Sequence, residues 1–190
     1  MKAETINLRI EGTRRLIMHS ARLADPLDPI SKSLARLTSK KMKTEADHEA
    51  ISKTEWFGGL WLDRGVPCVP AEALMAAFVG AARSRRRGPQ ASAGLMVADH
   101  AELKYDGPRD LEELWDSAPF RLRVPVRVGN ARPMRTRPVF DAWGIEFVAS
   151  YLPTLLNRDE IVETFAIAGF TKALGDWRPQ NGTFSVTVVD

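Results

Sequence analysis

The chain has 190 residues, of which 44% are hydrophobic and 27% charged, with a formal net charge of +3. This is the size and balance of one globular domain, or of one domain with a large insertion, and it can bury most of its apolar surface without covalent staples. The single cysteine, Cys68, excludes an internal disulfide framework and any all-cysteine zinc site, and no apolar run reaches the roughly 18 residues of a membrane span.

In chain order, the polar start Lys2-Ala3-Glu4-Thr5 leads straight into an alternating pattern, which is not that of a signal peptide, so a cytoplasmic protein is expected. Ile6, Leu8 and Ile10 share one face of a half-buried strand over 4–10. Gly12 breaks or bends it, 15–19 continues extended, and the two Asp-Pro dipeptides between 25 and 29 end any regular element there. Residues 30–54 are polar; Leu34, Leu37, Met42 and Ile51 support a short helix or two on a thin apolar stripe, an excursion from the core with ordering on binding as one option. Residues 56–62 read as a return into a strand or hairpin, with Asp63-Arg64-Gly65 as a turn.

A helix is predicted over 71–86, opened by Pro70 and Glu72 and carrying Leu74, Met75, Phe78 and Ala82 as its core stripe, with Gly88-Pro89 as its stop. Short strands follow at 93–98 and 101–105, then a short helix at 108–117. Residues 120–128 alternate apolar and basic, a strand that Pro125 confines to an edge or a bulge. Residues 129–139 read as a loop rich in Arg and Pro, and Trp143–Leu152 as a strand. Asn157 and Glu160 have capping-box spacing for a helix over 158–174, with Gly175 at its C-terminal cap, and Phe184, Val186 and Val188 close the chain as a last strand. Without the insertion, the order is that of a βαββαβ split unit in the α+β class.

Charge is segregated. Residues 119–138 hold Arg121, Arg123, Arg127, Arg132, Arg135 and Arg137 with no acid; 83–87 holds Arg83, Arg85, Arg86 and Arg87; 32–43 holds Lys32, Arg36, Lys40, Lys41 and Lys43. Basic stretches kept apart from acids point to a polyanion partner. The alternation places Arg121, Arg123 and Arg127 on one strand face and makes Arg132, Arg135 and Arg137 a flexible rim. His19, His48 and His100 are scattered without ligand spacing, so no metal or other cofactor is expected. Cys68, between two prolines, reads as buried and inert.

The opening strand with Gly12, the polar excursion and the return through Gly65-Val66-Pro67-Cys68-Val69-Pro70-Ala71 into an Ala/Gly-rich helix resemble the RAMP superfamily of CRISPR proteins, specifically its effector-complex backbone subunits. Val69-Pro70-Ala71-Glu72 stands where that family has an Ile-Pro-Gly-Ser turn. Gly175-Asp176-Trp177-Arg178-Pro179 to Gly182-Thr183-Phe184 resembles the glycine-containing stretch before the last strand. The resemblance covers most of the chain by element order and about 30 residues by motif. It implies a single domain over 1–190 with a ferredoxin-like, RRM-like core and a thumb-like insertion at 24–62. It also implies binding of single-stranded RNA, in that family CRISPR RNA, and self-association into helical arrays beside other effector subunits. A chain this small would be a reduced form, as a phage or mobile element encodes, or a mimic competing for the RNA.

The residues expected at RNA are His19, Lys40, Lys41, Lys43, Arg83, Arg85, Arg86, Arg121, Arg123, Arg132, Arg135, Arg137, Trp177 and Arg178. No enzymatic activity is expected. The competing readings are an endoribonuclease using Asp25 or Asp28, which stand where some members of the resembled family carry a thumb-base aspartate, and a phage structural or assembly protein without nucleic acid.

Overall fold

Ile6, Leu8 and Ile10 alternate with Thr5, Asn7, Arg9 and Glu11, and a period of two sends the two sets to opposite faces. In the computed structural model, which describes residues 2–127 and 129–189, this segment is β1 (Glu4–Gly12). There follow β2 (Leu16–Ile17), α1 (Pro29–Thr38), α2 (Glu45–Gly59), β3 (Leu62–Asp63), β4 (Val66–Val69), α3 (Ala71–Ser84) and α4 (Gly88–Gly94). The chain continues through β5 (Leu95–Met96), β6 (Ala101–Glu102), α5 (Leu111–Asp116), β7 (Arg121–Pro125), β8 (Met134–Phe140), β9 (Gly144–Tyr151), α6 (Arg158–Thr171) and β10 (Phe184–Val188). The class is α+β with antiparallel sheets. Two compact units result. The first holds the chain up to Leu16, Leu62–Asp106 and Asp141 onward; the second holds Ile17–Trp61 and Gly107–Phe140.

The first unit is built on an antiparallel sheet of order β10-β1-β9-β5. The strands therefore succeed one another as β1, helix, β5, β9, helix, β10, with the first and third paired at the centre. Ile6 stands opposite Ala149, Leu8 opposite Phe147 and Ile10 opposite Ile145, all buried on one face. Burying each such aliphatic side chain contributes roughly 1.5–3 kcal/mol. α3 and α6 close over this face: the Phe78 and Phe165 rings lie 4.8 Å apart, and Phe165 meets Phe147 edge-on at 5.5 Å. The opposite face carries Thr5, Asn7, Arg9, Glu146, Val148, Ser185 and Thr187 and no aromatic ring among the described strand residues. There Glu146 takes both Arg9 (2.9 Å) and Lys104 (2.8 Å).

Local chemistry sets the element ends. Arg64 (φ 48°) and Gly65 (φ 86°) both take the left-handed region that a two-residue β3–β4 hairpin turn needs. Asn157 and Glu160 form the reciprocal capping box that starts α6, as expected. The cap at its other end differs: α6 stops at Thr171 and Ala173 (φ 56°) takes the left-handed position, its N–H bonding Ala168 O at 2.8 Å, while Gly175 comes two residues later. Gly88-Pro89 is also not a stop. Pro89 sits in the first turn of α4, where a fixed φ and a missing N–H cost nothing.

Gly12 is the last residue of β1 rather than a break in it, and its role is steric. A Cβ there would lie 2.1 Å from Trp143 Nε1. The indole uses the space to donate to Arg14 O at 2.9 Å.

In the second unit, Thr44 and Asp47 form the capping box that begins α2, and Asp28 caps α1 through Ile30 N–H at 2.8 Å. The expected strand or hairpin over 56–62 is corrected: 56–59 is the last turn of α2. Trp56 is fully buried, donates Nε1 to Phe120 O at 2.8 Å and meets Trp115 edge-on at 5.6 Å. Gly58 and Gly59 leave the space in which Leu23, Ile30 and Pro138 pack, so a side chain at either helical position would clash. The segment 30–54 forms α1 and part of α2, and 24–62 lies almost wholly in this unit, joined there by 107–140. The expected loop at 129–139 is corrected as well: β8 begins at Met134 and pairs with β7 from Arg121↔Pro138 to Pro125↔Met134. β7 ends at Pro125, so Arg127 lies beyond the strand, with Nε on Gly129 O at 3.3 Å; Val128, part of the expected strand, lies outside the described residues.

Candidate nucleic-acid interface

Period two along β7 directs Arg121 and Arg123 to one side, where they meet the face of α2 that carries Glu45, His48, Glu49 and Ser52 at helical spacing. Between them runs a groove of two contiguous depressions, about 720 Å³ and 500 Å³, which share Glu49, Ser52, Arg123 and Thr136. Lys43 and Arg135 line the larger one, Lys53, Trp115 and Arg121 the smaller. The Ser52 and Thr136 hydroxyls are 2.6 Å apart between the two elements.

The cations of this groove differ in how they are held. Arg121 stacks over Trp115, 4.8 Å from the ring centroid. Lys53 pairs with Glu112 at 2.5 Å and lies 5.7 Å over Phe57. Arg135 Nη1 bonds Glu55 Oε1 at 2.6 Å, and Glu55 Oε2 also accepts Thr136 N–H at 2.9 Å. Arg123 is exposed and makes no ion pair among the described residues. The Ser52–Thr136 pair uses one hydroxyl proton between its members and leaves one to donate, and with the Arg123 guanidinium that donor suits phosphate oxygens, which accept and do not donate, although Glu49 lines the same groove.

The remaining sequence candidates spread over both units. In the second, Lys40 is tied to Asp47 at 2.5 Å and Lys43 donates to Lys40 O at 2.6 Å. The Lys40 hydrogen bond is the main reason the Asp47 carboxyl falls from 3.8 to about 2; the Thr44 N–H adds to it and partial burial opposes it. Lys41, His19 and Arg132 are exposed. The flexible rim is not formed: Arg135 and Arg137 belong to β8, and Arg137 is only 7% exposed, which removes it from any phosphate-binding surface. Asp25 accepts Leu27 N–H at 2.8 Å. Asp28 caps α1 and pairs with Arg22 at 3.1 Å. Burial alone would raise its carboxyl, but the Ile30 N–H and Arg22 outweigh it and hold Asp28 below the ordinary 3.8.

In the first unit, Arg83, Arg85 and Arg86 sit exposed at the C-terminal end of α3. Arg85 pairs with Glu163 at 2.8 Å and Arg87 with Glu160 at 2.5 Å, so half of this run binds α6. Trp177 is half-buried and Arg178 exposed in the loop before β10.

Ser52, Lys53, Trp115 and Thr136 were not among the residues picked from sequence. For Ser52 on α2, the signal was a polar stripe at 45, 48, 49 and 52, readable only once a helix is placed there. No protein-family model and no curated protein matches the chain.

Proposed function

We propose that the chain has a ferredoxin-like, RRM-like core and works as a RAMP-type protein that binds single-stranded RNA mainly by its phosphates. The observation that carries the reading is the groove between α2 and β7, with Arg121 and Arg123 on one wall and the Ser52–Thr136 hydroxyl pair in the floor. The strand order β10-β1-β9-β5, with a second unit emitted after β1, supports the family resemblance. Among the described strand residues the outer sheet face offers no aromatic ring for base stacking, which favours the groove over the sheet as the RNA path. The RNA of the resembled family is CRISPR RNA, along which copies of the chain would assemble into an array, either as a subunit or as a mimic that competes for the guide. Cleavage at the thumb base is not favoured, because the Asp28 carboxylate is already used by α1 and Arg22.

Fluorescence anisotropy with a single-stranded RNA, read across a salt series, tests the binding. Light scattering on a sizing column before and after ribonuclease tests the array. Salt-steep binding and a species that shrinks on digestion are expected. Absence of RNA binding at low salt, or association that survives both high salt and ribonuclease, would sink the reading and favour a structural protein.

A further inference from the structure

β10 forms one edge of the four-stranded sheet in the first unit. Its odd-numbered residues bond inward: Thr13 N–H donates to Thr183 O at 2.8 Å, and Val189 N–H to Asn7 O at 3.0 Å. By the alternation of an antiparallel ladder, Phe184, Val186 and Val188 therefore aim their N–H and C=O away from β1. α6 covers Phe184 O, since a Cβ on Gly169 would lie 2.1 Å from it. The N–H and C=O groups of Val186 and Val188 have no backbone partner among the described residues. Other strand edges of the chain are guarded. β5, on the far side of the same sheet, is only two residues long, and β7, an edge in the second unit, carries Pro125, Arg121 and Arg123. β10 has five residues, no charge and no proline, and it runs in unbroken register with β1.

The side chains at this edge match a copy of themselves. Val186 and Val188 lie on the helix-facing side of the sheet, with Val188 38% exposed, and Thr187 is exposed on the other side. Val162, Ala166 and Phe170 recur at every fourth position of α6, on the side where Gly169 meets Phe184, and Phe170 is 80% exposed. We propose that two copies of the chain pair through β10, antiparallel about a twofold axis at Thr187, and join their sheets into one. Val186 exchanges N–H···O bonds with the partner's Val188, and by symmetry the reverse pair forms. Thr187 meets its own copy on the outer face, a favourable cross-strand pair, while the valines and the α6 stripes come together beneath. No like charges on the two β10 strands stand opposite each other, because the strand has none. A contact of this kind is self-complementary and closes at two copies, unlike an array. The dimer goes beyond the RNA-binding reading and needs no RNA. It is the species expected once ribonuclease has digested an array, and resistant association beyond two copies still counts against that reading.

Light scattering on a sizing column, with ribonuclease-treated protein over a dilution series, tests it. The wild type is expected at twice the 21.1 kDa mass of the chain, falling to one copy on dilution. Thr187→Lys and Thr187→Glu each set like charges against each other at the axis and weaken the dimer on the order of tenfold or more. Thr187 is exposed, so neither change touches the core, and circular dichroism checks both. Mixing the two variants sets Lys against Glu and restores the dimer, which separates edge pairing from loss of fold. The proposal is overturned if the wild type stays a monomer up to about 100 µM, which leaves the edge to a strand of another protein. It is equally overturned if Thr187→Lys dimerises as the wild type does, or if the mixed variants stay apart.

Discussion

The Glu55 carboxylate, 2% exposed, lies 2.6 Å from Arg135 Nη1 and ties an arginine of β8 to α2. Arg135 is therefore a structural cation that also edges the groove. Removing it leaves a buried carboxylate with only the Thr136 N–H. Arg135→Ala is expected to cost about 3 kcal/mol in a urea melt, as breaking a buried pair does. Arg123→Ala, an exposed side chain, should fall within about 0.5 kcal/mol of the wild type. Equal costs for the two would refute the distinction.

The two arginines of β7 should be read by salt. If both contact phosphates, Arg121→Ala/Arg123→Ala lowers RNA affinity and reduces the slope of log K against log salt by about 1.4, from ~0.7 per single-strand contact. The measurement is anisotropy at four or more salt concentrations. An unchanged slope removes β7 from the interface.

Asp47 links acid stability to the start of α2. Its folded carboxyl lies near 2, below the ordinary 3.8, so its stabilisation is present above that value and fades as pH falls towards 2. Asp47→Asn should lower the melting temperature at neutral pH, and the gap to the wild type should close on acidification. A gap that stays constant from pH 7 to about pH 2 contradicts this.

Gly12→Ala should destabilise the first unit by about 1–3 kcal/mol through overpacking. The added methyl meets the Trp143 indole at 2.1 Å and pushes it off Arg14 O. Thermal unfolding with tryptophan fluorescence checks this; a wild-type melting temperature is the contrary result.

Cys68 is 2% exposed. Burial, followed by the Asp63 and Glu72 carboxylates, pushes its thiol up to about 11. A thiol reagent at pH 8 should leave the native chain unmodified and label it fully in denaturant. Rapid labelling of the native protein would contradict the placement.

The elements readable from sequence carry a local signature. Ile6, Leu8 and Ile10 announce β1 by period alone, Trp143 to Tyr151 announce β9, and Asn157 with Glu160 announce the start of α6. The misread elements lack one. Trp56-Phe57-Gly58-Gly59 has strand-like composition and turn-like glycines, yet it is the last turn of α2, and its glycines are there because Leu23, Ile30 and Pro138 fill the space beside them. Residues 134–140 have the composition of a loop, yet they form β8 by pairing with β7.

The same division applies to the candidate interface. The sequence by itself determined that the basic residues are segregated and that Arg121 and Arg123 alternate with apolar positions, because charge and period are local properties. Tertiary structure alone decided which arginines stay available. Among the described residues Arg123 makes no ion pair, Arg85 and Arg87 are drawn to α6, Arg135 is held by a buried glutamate 80 residues away, and Arg137 is buried. A guanidinium is committed or free according to what packs against it, and long-range contacts of that kind are made by the fold rather than by the neighbouring sequence.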